Sequence, residues 1–174
     1  MKNIVLLGFM GTGKSIIGRR LAVELRYRFV DTDHLIEKMA QKRVPKIFAE
    51  DGEAHFRKLE SQVVDDVSDW EGYVISTGGG VPLNPGNMTA LRKNGIVVAL
   101  TARPKVILKR VQRRAGERPL LQGPDPLGNI TRLLSEREKY YAGSEIQVDT
   151  SDMQIAESVH CIMDRITQFT GGGT

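Results

Sequence analysis

Short apolar runs alternate along the chain with longer segments in which apolar residues recur every three or four positions. Such runs, bounded by glycine or aspartate, are typical of strands that are buried on both faces of a parallel sheet. They predict five strands: Asn3–Leu7, Arg28–Asp31, Tyr73–Ser76, Ile96–Leu100 and Ile146–Asp149. Helical spacing predicts Lys14–Leu25, Asp33–Gln41, Glu53–Val67, Pro85–Lys93, Pro104–Arg113, Pro126–Tyr141 and Met153–Thr167. This alternation predicts an α/β fold of three layers, with helices on both faces of a five-stranded parallel sheet.

Two segments depart from a plain alternation of strand and helix. The stretch between the second and third predicted strands is too long for one crossover, so we expect a helical insertion at about 32–62. Residues 113–125 carry arginines, glycines and prolines with few apolar anchors, which predicts a mobile basic lid. We therefore expect one domain over residues 1–170, with a flexible tail at 171–174.

Composition and charge limit the classes of function that are open to this protein. The hydrophobic content of 40% and the charged content of 26% are ordinary for a globular protein. The net charge is +4, but the basic residues are dispersed and aromatic residues make up only 6%, so we expect no nucleic-acid partner. The single Cys161 fits a reducing compartment, and no apolar stretch approaches the roughly 20 residues of a membrane span. We expect a cytoplasmic monomer that does not associate with membranes.

The residues with the clearest chemistry follow the first predicted strand. Residues 8–15 read Gly-Phe-Met-Gly-Thr-Gly-Lys-Ser, which is the complete pattern G-x-x-x-x-G-K-[ST]. The order strand, glycine turn, helix is the context that this motif requires. Its backbone N–H groups and the helix N-terminus bind phosphates, Lys14 can reach the β- and γ-phosphates, and Ser15 can ligate Mg²⁺. The motif predicts a nucleotide site.

Two polar segments follow the next two predicted strands. Asp31-Thr32-Asp33 ends the second strand, and ligands of open α/β sheets collect outside such carboxyl ends. One carboxylate can hold a Mg²⁺-bound water while the other orients an acceptor hydroxyl; alternatively, Asp33 caps the following helix. Gly78-Gly79-Gly80 follows the third strand and can lie against a substrate or form a flexible turn.

Two arginines are candidates for binding a substrate anion. Arg57 lies four residues after Glu53 and three before Glu60, so both carboxylates can orient its guanidinium on one helix face. An oriented guanidinium can bind a substrate carboxylate, although an exposed helix salt bridge has the same pattern. Arg137 lies in the charged run Ser135–Tyr141, which in isolation is typical of a solvated helix face.

These pieces together resemble the shikimate kinase family, within the nucleoside-monophosphate-kinase-like group of P-loop proteins. The resemblance extends to about Ile166, and the motifs occur in the family's order. They are residues 8–15, Asp31-Thr32-Asp33, Phe56-Arg57-Lys58-Leu59-Glu60, Gly78-Gly79-Gly80, Arg118-Pro119-Leu120-Leu121, and Arg137 before Tyr140-Tyr141. The phosphate loop is shared by many enzymes, whereas the later motifs are specific in combination. The resemblance implies ATP and Mg²⁺ as cofactors, and transfer of phosphate to the 3-hydroxyl of shikimate on the way to chorismate and the aromatic amino acids.

The resemblance also implies roles for single residues. On the nucleotide side, the residues assigned to ATP are Gly11, Thr12, Gly13, Lys14, Ser15 and Ile16, with Arg118 closing from the lid and Gln154 near the adenine. Ser15 ligates Mg²⁺ and Asp31 supports it through water. Which of Arg110, Arg113 and Arg114 contacts the adenine stays open.

On the acceptor side, the resemblance implies that Asp33 binds the hydroxyls of shikimate and acts as the base. Arg57 and Arg137 hold the carboxylate, and Gly78, Gly79 and Gly80 line the ring. The implied catalytic residues are therefore Lys14, Asp33 and Arg118.

Three alternatives stand beside this interpretation. Another kinase of the group, such as a gluconate kinase, also phosphorylates a carboxylate-bearing acceptor, and the two arginines alone do not distinguish them. A catalytically silent nucleotide-binding domain is disfavoured by the intact Lys14, Ser15, Asp33 and Arg118. A nucleic-acid-binding module lacks the clustered basic patch that it requires.

Overall fold

The predicted α/β architecture is present in the computed structural model, which describes residues 1–113 and 123–171. Its parallel sheet has the order β2-β3-β1-β4-β5. The strands are β1 Asn3–Gly8, β2 Arg28–Asp31, β3 Tyr73–Ser76, β4 Gly95–Thr101 and β5 Ile146–Asp149. All five predicted strands are confirmed to within one residue at each end.

Eight α-helices surround the sheet in the described ranges. They are α1 Lys14–Leu25, α2 Thr32–Ala40, α3 Val44–Asp51, α4 Glu53–Ser68, α5 Pro85–Lys93, α6 Pro104–Gln112, α7 Pro126–Ala142 and α8 Ile155–Gly171. A short 3₁₀ helix, Val81–Leu83, follows the triple glycine. Among these helices, none combines the length and the apolar character that crossing a membrane requires.

The helices α2, α3 and α4 form the stretch between β2 and β3, where the sequence predicts a helical insertion. The sequence does not predict α3 as a separate element. This helix has only eight residues, and its proline occupies the first turn, where the missing N–H costs no hydrogen bond. At the other end of the chain, α8 extends to Gly171, while residues 172–174 lie outside the described ranges.

Two apolar cores lie on opposite faces of the sheet and make the three layers. One contains inward side chains of the helical insertion and α5, such as Ile36, Val64 and Leu91, against Val5 and Ile75 of the strands. The other joins α1 and α8 to the opposite faces of the same strands. β1 is buried along its whole length and β4 at every residue except Thr101, which explains why their sequences are apolar runs rather than alternating patterns.

The parallel register places the carboxyl ends of neighbouring strands at one edge. Asp31 pairs with Ser76 at the ends of β2 and β3, and Leu6 of β1 pairs with the same Ser76. The phosphate loop leaves β1 between β3 and β4, which is the position at which open α/β sheets bind ligands. The segments with predicted chemistry are therefore collected along this edge.

Candidate active site

The phosphate loop surrounds a space at the N-terminus of α1. Gly11 and Gly13 have φ angles of 77° and 102°, which side chains rarely adopt, so glycine is needed for the loop to curl. The ammonium of Lys14 donates to the carbonyl oxygens of Gly8 at 2.6 Å and Phe9 at 3.2 Å. These contacts hold the lysine across the mouth of the loop.

Two oxygen-bearing side chains meet beside the loop. The hydroxyl of Ser15 donates to Oδ2 of Asp31 at 3.1 Å. The other oxygen of Asp31 accepts from the backbone N–H of Asp33 at 3.1 Å, so Asp31 is the cap of α2. The alternative in which Asp33 caps this helix is therefore wrong, because α2 begins one residue earlier, at Thr32. The carboxylate of Asp33 is left for another role.

The carboxylate of Asp33 is held in a desolvated position. Its Oδ1 is buried and has no hydrogen-bond partner among the described residues. Burial raises the pKa of Asp33 from 3.8 to about 6, and the negative charges of Asp31 and Glu60 add to this effect while Lys14 opposes it. An unpartnered acceptor with a pKa near neutrality suits a group that receives a proton from a ligand hydroxyl.

The triple glycine packs directly against three charged side chains. A methyl group on Gly78 would overlap Oδ1 of Asp33, and one on Gly80 would overlap the guanidinium of Arg57. A methyl group on Gly79 would lie 2.9 Å from Nη1 of Arg137. The glycines therefore provide the space that these side chains occupy, which excludes the interpretation as an unconstrained turn.

Arg57 is oriented from its own helix, as the spacing predicts. Its Nη1 donates to both oxygens of Glu60 at 2.9 and 3.1 Å, and its Nη2 donates to Glu53 at 3.3 Å. Glu60 is only 1% exposed. Burial raises the pKa of Glu60, whereas the positive charges of Arg57 and Arg137 lower it. This pair is therefore not the exposed salt bridge that the isolated pattern permits.

Arg137 reaches the same place from the distant helix α7. Its guanidinium donates to the carbonyl oxygen of Gly79 and lies over the ring of Phe9, with the guanidinium carbon 5.8 Å from the ring centroid. This position excludes the interpretation of Arg137 as part of a solvated face. The aromatic platform was not predicted, because Phe9 occupies an unconstrained position of the phosphate-loop motif.

Two cavities meet at the phosphate loop. The first, of about 570 Å³, contains Lys14, Ser15, Asp31, Asp33 and Arg137 together with the three glycines. The second, of about 470 Å³, is lined by Ile16, Arg110, Arg113 and Gln154, among others. Gly11 and Gly13 border both cavities. A ligand that spans the loop would therefore place its phosphates between two separate binding spaces.

The comparisons with known proteins bear on this arrangement. Residues 10–167 match the family model described as shikimate kinase.

The chain belongs to the shikimate kinase family.

A relative, the shikimate kinase of Caldanaerobacter subterraneus subsp. tengcongensis, is 50% identical over 157 residues, covering 90% of this chain and 91% of the relative. The shikimate kinase structure from Bacteroides thetaiotaomicron has a TM-score of 0.86 at 33% identity, covering 95% and 98% of the two chains. The shikimate kinase of Acinetobacter baumannii in complex with shikimate has a TM-score of 0.85 at 32% identity, covering 100% of this chain and 95% of that one.

Within this shikimate kinase fold, the second cavity contains the side chains that the sequence left as alternatives for the adenine. Arg110 donates to the carbonyl oxygens of Thr150 at 2.6 Å and Gly11 at 3.3 Å, so it connects β5 to the phosphate loop. Arg113 and the exposed Gln154 line the same cavity. Arg114 and Arg118 lie outside the described residues, as does most of the predicted lid at 113–125.

Proposed function

We propose that this chain transfers the γ-phosphoryl group of ATP to the 3-hydroxyl of shikimate, giving ADP and shikimate 3-phosphate. The observation that carries the proposal is the convergence of Asp33, Arg57 and Arg137 on the triple glycine, which lines one cavity together with Asp33, Arg137 and Lys14. Shikimate carries a carboxylate and ring hydroxyls. Guanidinium groups bind a carboxylate well, and a desolvated carboxylate can accept a hydrogen bond from a ring hydroxyl. Membership of the shikimate kinase family supports the same acceptor.

In this proposal the first cavity holds the acceptor and the second holds the nucleoside of ATP. Arg57 and Arg137 bind the carboxylate, which fixes the ring against Gly78, Gly79 and Gly80. Asp33 accepts the proton of the 3-hydroxyl as the oxygen bonds to the γ-phosphorus and the bond to ADP breaks. Lys14 neutralises charge on the transferred group, and Arg118 does so from the predicted lid.

The proposed nucleotide side includes Mg²⁺. The Ser15 hydroxyl and the Asp31 carboxylate are the hard oxygen donors that this ion prefers, and they lie 3.1 Å apart. Among the residues described, no group of three or more His, Cys, Asp and Glu side chains could form a protein cage for a metal. Mg²⁺ commonly keeps waters and phosphate oxygens as ligands, so Ser15 with Asp31 through water is sufficient. When bound there, the ion would neutralise phosphate charge and polarise the reacting phosphoryl group.

The overall activity is tested by coupled measurement of ADP release. We expect turnover that requires shikimate, ATP and Mg²⁺ together, because each fills one part of the divided site. Gluconate and quinate are the matched alternative acceptors, since both carry a carboxylate and hydroxyl groups. Equal turnover with gluconate, or no turnover with shikimate, would contradict the proposed acceptor.

The role of the triple glycine is tested by Gly80→Ala. The backbone at Gly80 has φ −91° and ψ −15°, which alanine adopts without strain, so the variant adds only a methyl group where Arg57 lies. We expect shikimate affinity to fall by about tenfold or more, because the methyl group displaces Arg57 and a hydrogen bond to a charged group contributes about 1.5–3 kcal/mol. Calorimetric titration with shikimate and with an ATP analogue measures both affinities.

The matched control is Gly143→Ala, because the nearest atom to a methyl group there lies 3.8 Å away, outside both cavities. This variant should bind both ligands normally. If Gly80→Ala bound shikimate with unchanged affinity, binding by Arg57 would not depend on the space beside Gly80.

A further inference from the structure

Both terminal nitrogens of Arg57 are engaged by carboxylates of its own helix. Glu60 accepts from Nη1 with both of its oxygens, and Glu53 accepts from Nη2 at 3.3 Å. An incoming carboxylate binds arginine best through two parallel N–H···O contacts. Glu60 and Glu53 occupy Nη1 and part of Nη2, so a ligand that binds the two terminal nitrogens in parallel meets one of these carboxylates.

The two internal carboxylates differ greatly in their surroundings. The Glu60 side chain is 2% exposed, whereas that of Glu53 is 69% exposed. Removing Arg57 from Glu60 would leave a buried charge without its partner, which is strongly unfavourable. Removing Arg57 from Glu53 returns an exposed carboxylate to water, and exposed ion pairs contribute little. Glu53 is therefore the group that a ligand displaces.

The start of α4 makes this displacement easy. Glu53 is the first residue of the helix, where the positive end of the helix dipole stabilises a negative side chain after it leaves Arg57. The preceding Gly52 has a φ of 83° and no heavy atom within 4 Å of the position of a Cβ. The start of the helix is therefore not enclosed by other residues, and water can reach the Glu53 side chain.

We infer that Glu53 competes internally with the substrate carboxylate for Arg57 and so lowers the affinity for shikimate. The inference rests on the proposed function, because it assigns the competing ligand as the carboxylate of shikimate. Glu60 has the opposite effect, since it holds the guanidinium in place and stays bound to it. Two acidic residues on one helix therefore act on the same arginine with opposite consequences for binding.

The experiment compares Glu53→Gln and Glu60→Gln by calorimetric titration with shikimate. Glu53→Gln keeps the size of the side chain but removes its charge, and we expect shikimate to bind about two- to fivefold more tightly, the range that an exposed ion pair supports. Glu60→Gln should bind shikimate at least tenfold more weakly, because Arg57 loses its buried partner. The affinity for an ATP analogue should be unchanged in Glu53→Gln.

The control for a general effect of charge is Glu50→Gln. Glu50 lies nearby on α3 and pairs with Lys42 and Lys46 rather than with Arg57, so its neutralisation should leave shikimate affinity unchanged. The second test introduces Glu53→Gln into an Arg57→Ala protein, where the gain in affinity should disappear. Equal or weaker binding by the single Glu53→Gln variant, or a gain that persists without Arg57, would overturn the inference. Absence of shikimate binding by the unmodified protein would overturn the proposed function itself.

Discussion

Replacing Asp33 by asparagine should reduce kcat by about 10²–10⁴, the range of a general base held against the reacting group. The amide is nearly isosteric but cannot accept the hydroxyl proton. In the unmodified protein, the shikimate-dependent rate should rise as the pH increases through about 6, where Asp33 loses its proton. Steady-state kinetics between pH 5 and 8, with the coupling enzymes in excess, measures both effects.

The same substitution should make the protein more stable at neutral pH. The pKa of Asp33 is raised by burial, so the folded protein retains a proton that the unfolded chain releases between pH about 4 and about 6. The free energy of unfolding therefore falls as the pH rises through this interval. The asparagine side chain would not titrate, so we expect Asp33→Asn to gain at most about 3 kcal/mol at pH 8 and much less at pH 4.

The matched control is Asp65→Asn, because Asp65 is exposed on α4 and lines neither cavity of the site. Its activity and its stability should follow those of the unmodified protein at every pH. Retention of more than a tenth of kcat by Asp33→Asn would exclude Asp33 as the base. A lower stability at pH 8 would exclude the desolvated carboxylate as the cause of the pH dependence.

Replacing Lys14 by alanine should reduce kcat by about 10²–10³, because it removes a preorganised positive charge from the phosphoryl group in the transition state. The protein should still fold. Lys14 is half-buried and donates to two carbonyl oxygens of its own loop, and loss of such hydrogen bonds costs about 1–3 kcal/mol in the free energy of unfolding. Single-turnover kinetics and thermal unfolding separate the two effects.

Lys38→Ala is the control for loss of a positive charge, because Lys38 is exposed on α2 and lines neither cavity of the site. It should retain normal kcat and shikimate affinity. If Lys14→Ala turned over at the normal rate while melting at the normal temperature, the phosphate loop would not have the proposed role. A loss of shikimate affinity without a change in rate would place Lys14 in the acceptor space instead.

Much of the fold could be predicted because local sequence encodes it directly. Strands buried on both faces require continuous apolar runs, and β1 and β4 have them, so their bounds differ from the prediction by only one residue. The helix α3 was missed because eight residues that begin with a proline in the first turn give little periodic signal. The sequence offers Asp33 as a cap of α2, whereas the structure uses Asp31, because an aspartate two residues earlier is an equally good cap.

The sequence by itself determined the nucleotide site, because all parts of the phosphate loop lie within eight consecutive residues and their geometry is local. It also supplied Asp33, Arg57 and Arg137 as candidates, but each had an equally simple structural explanation. Only the tertiary structure showed which of these side chains lie together, because their contacts join distant parts of the chain. Gly80 lies against Arg57, and Gly79 lies against Arg137. Glu53 and Glu60 differ in burial because of tertiary packing, which their spacing from Arg57 along the helix does not encode.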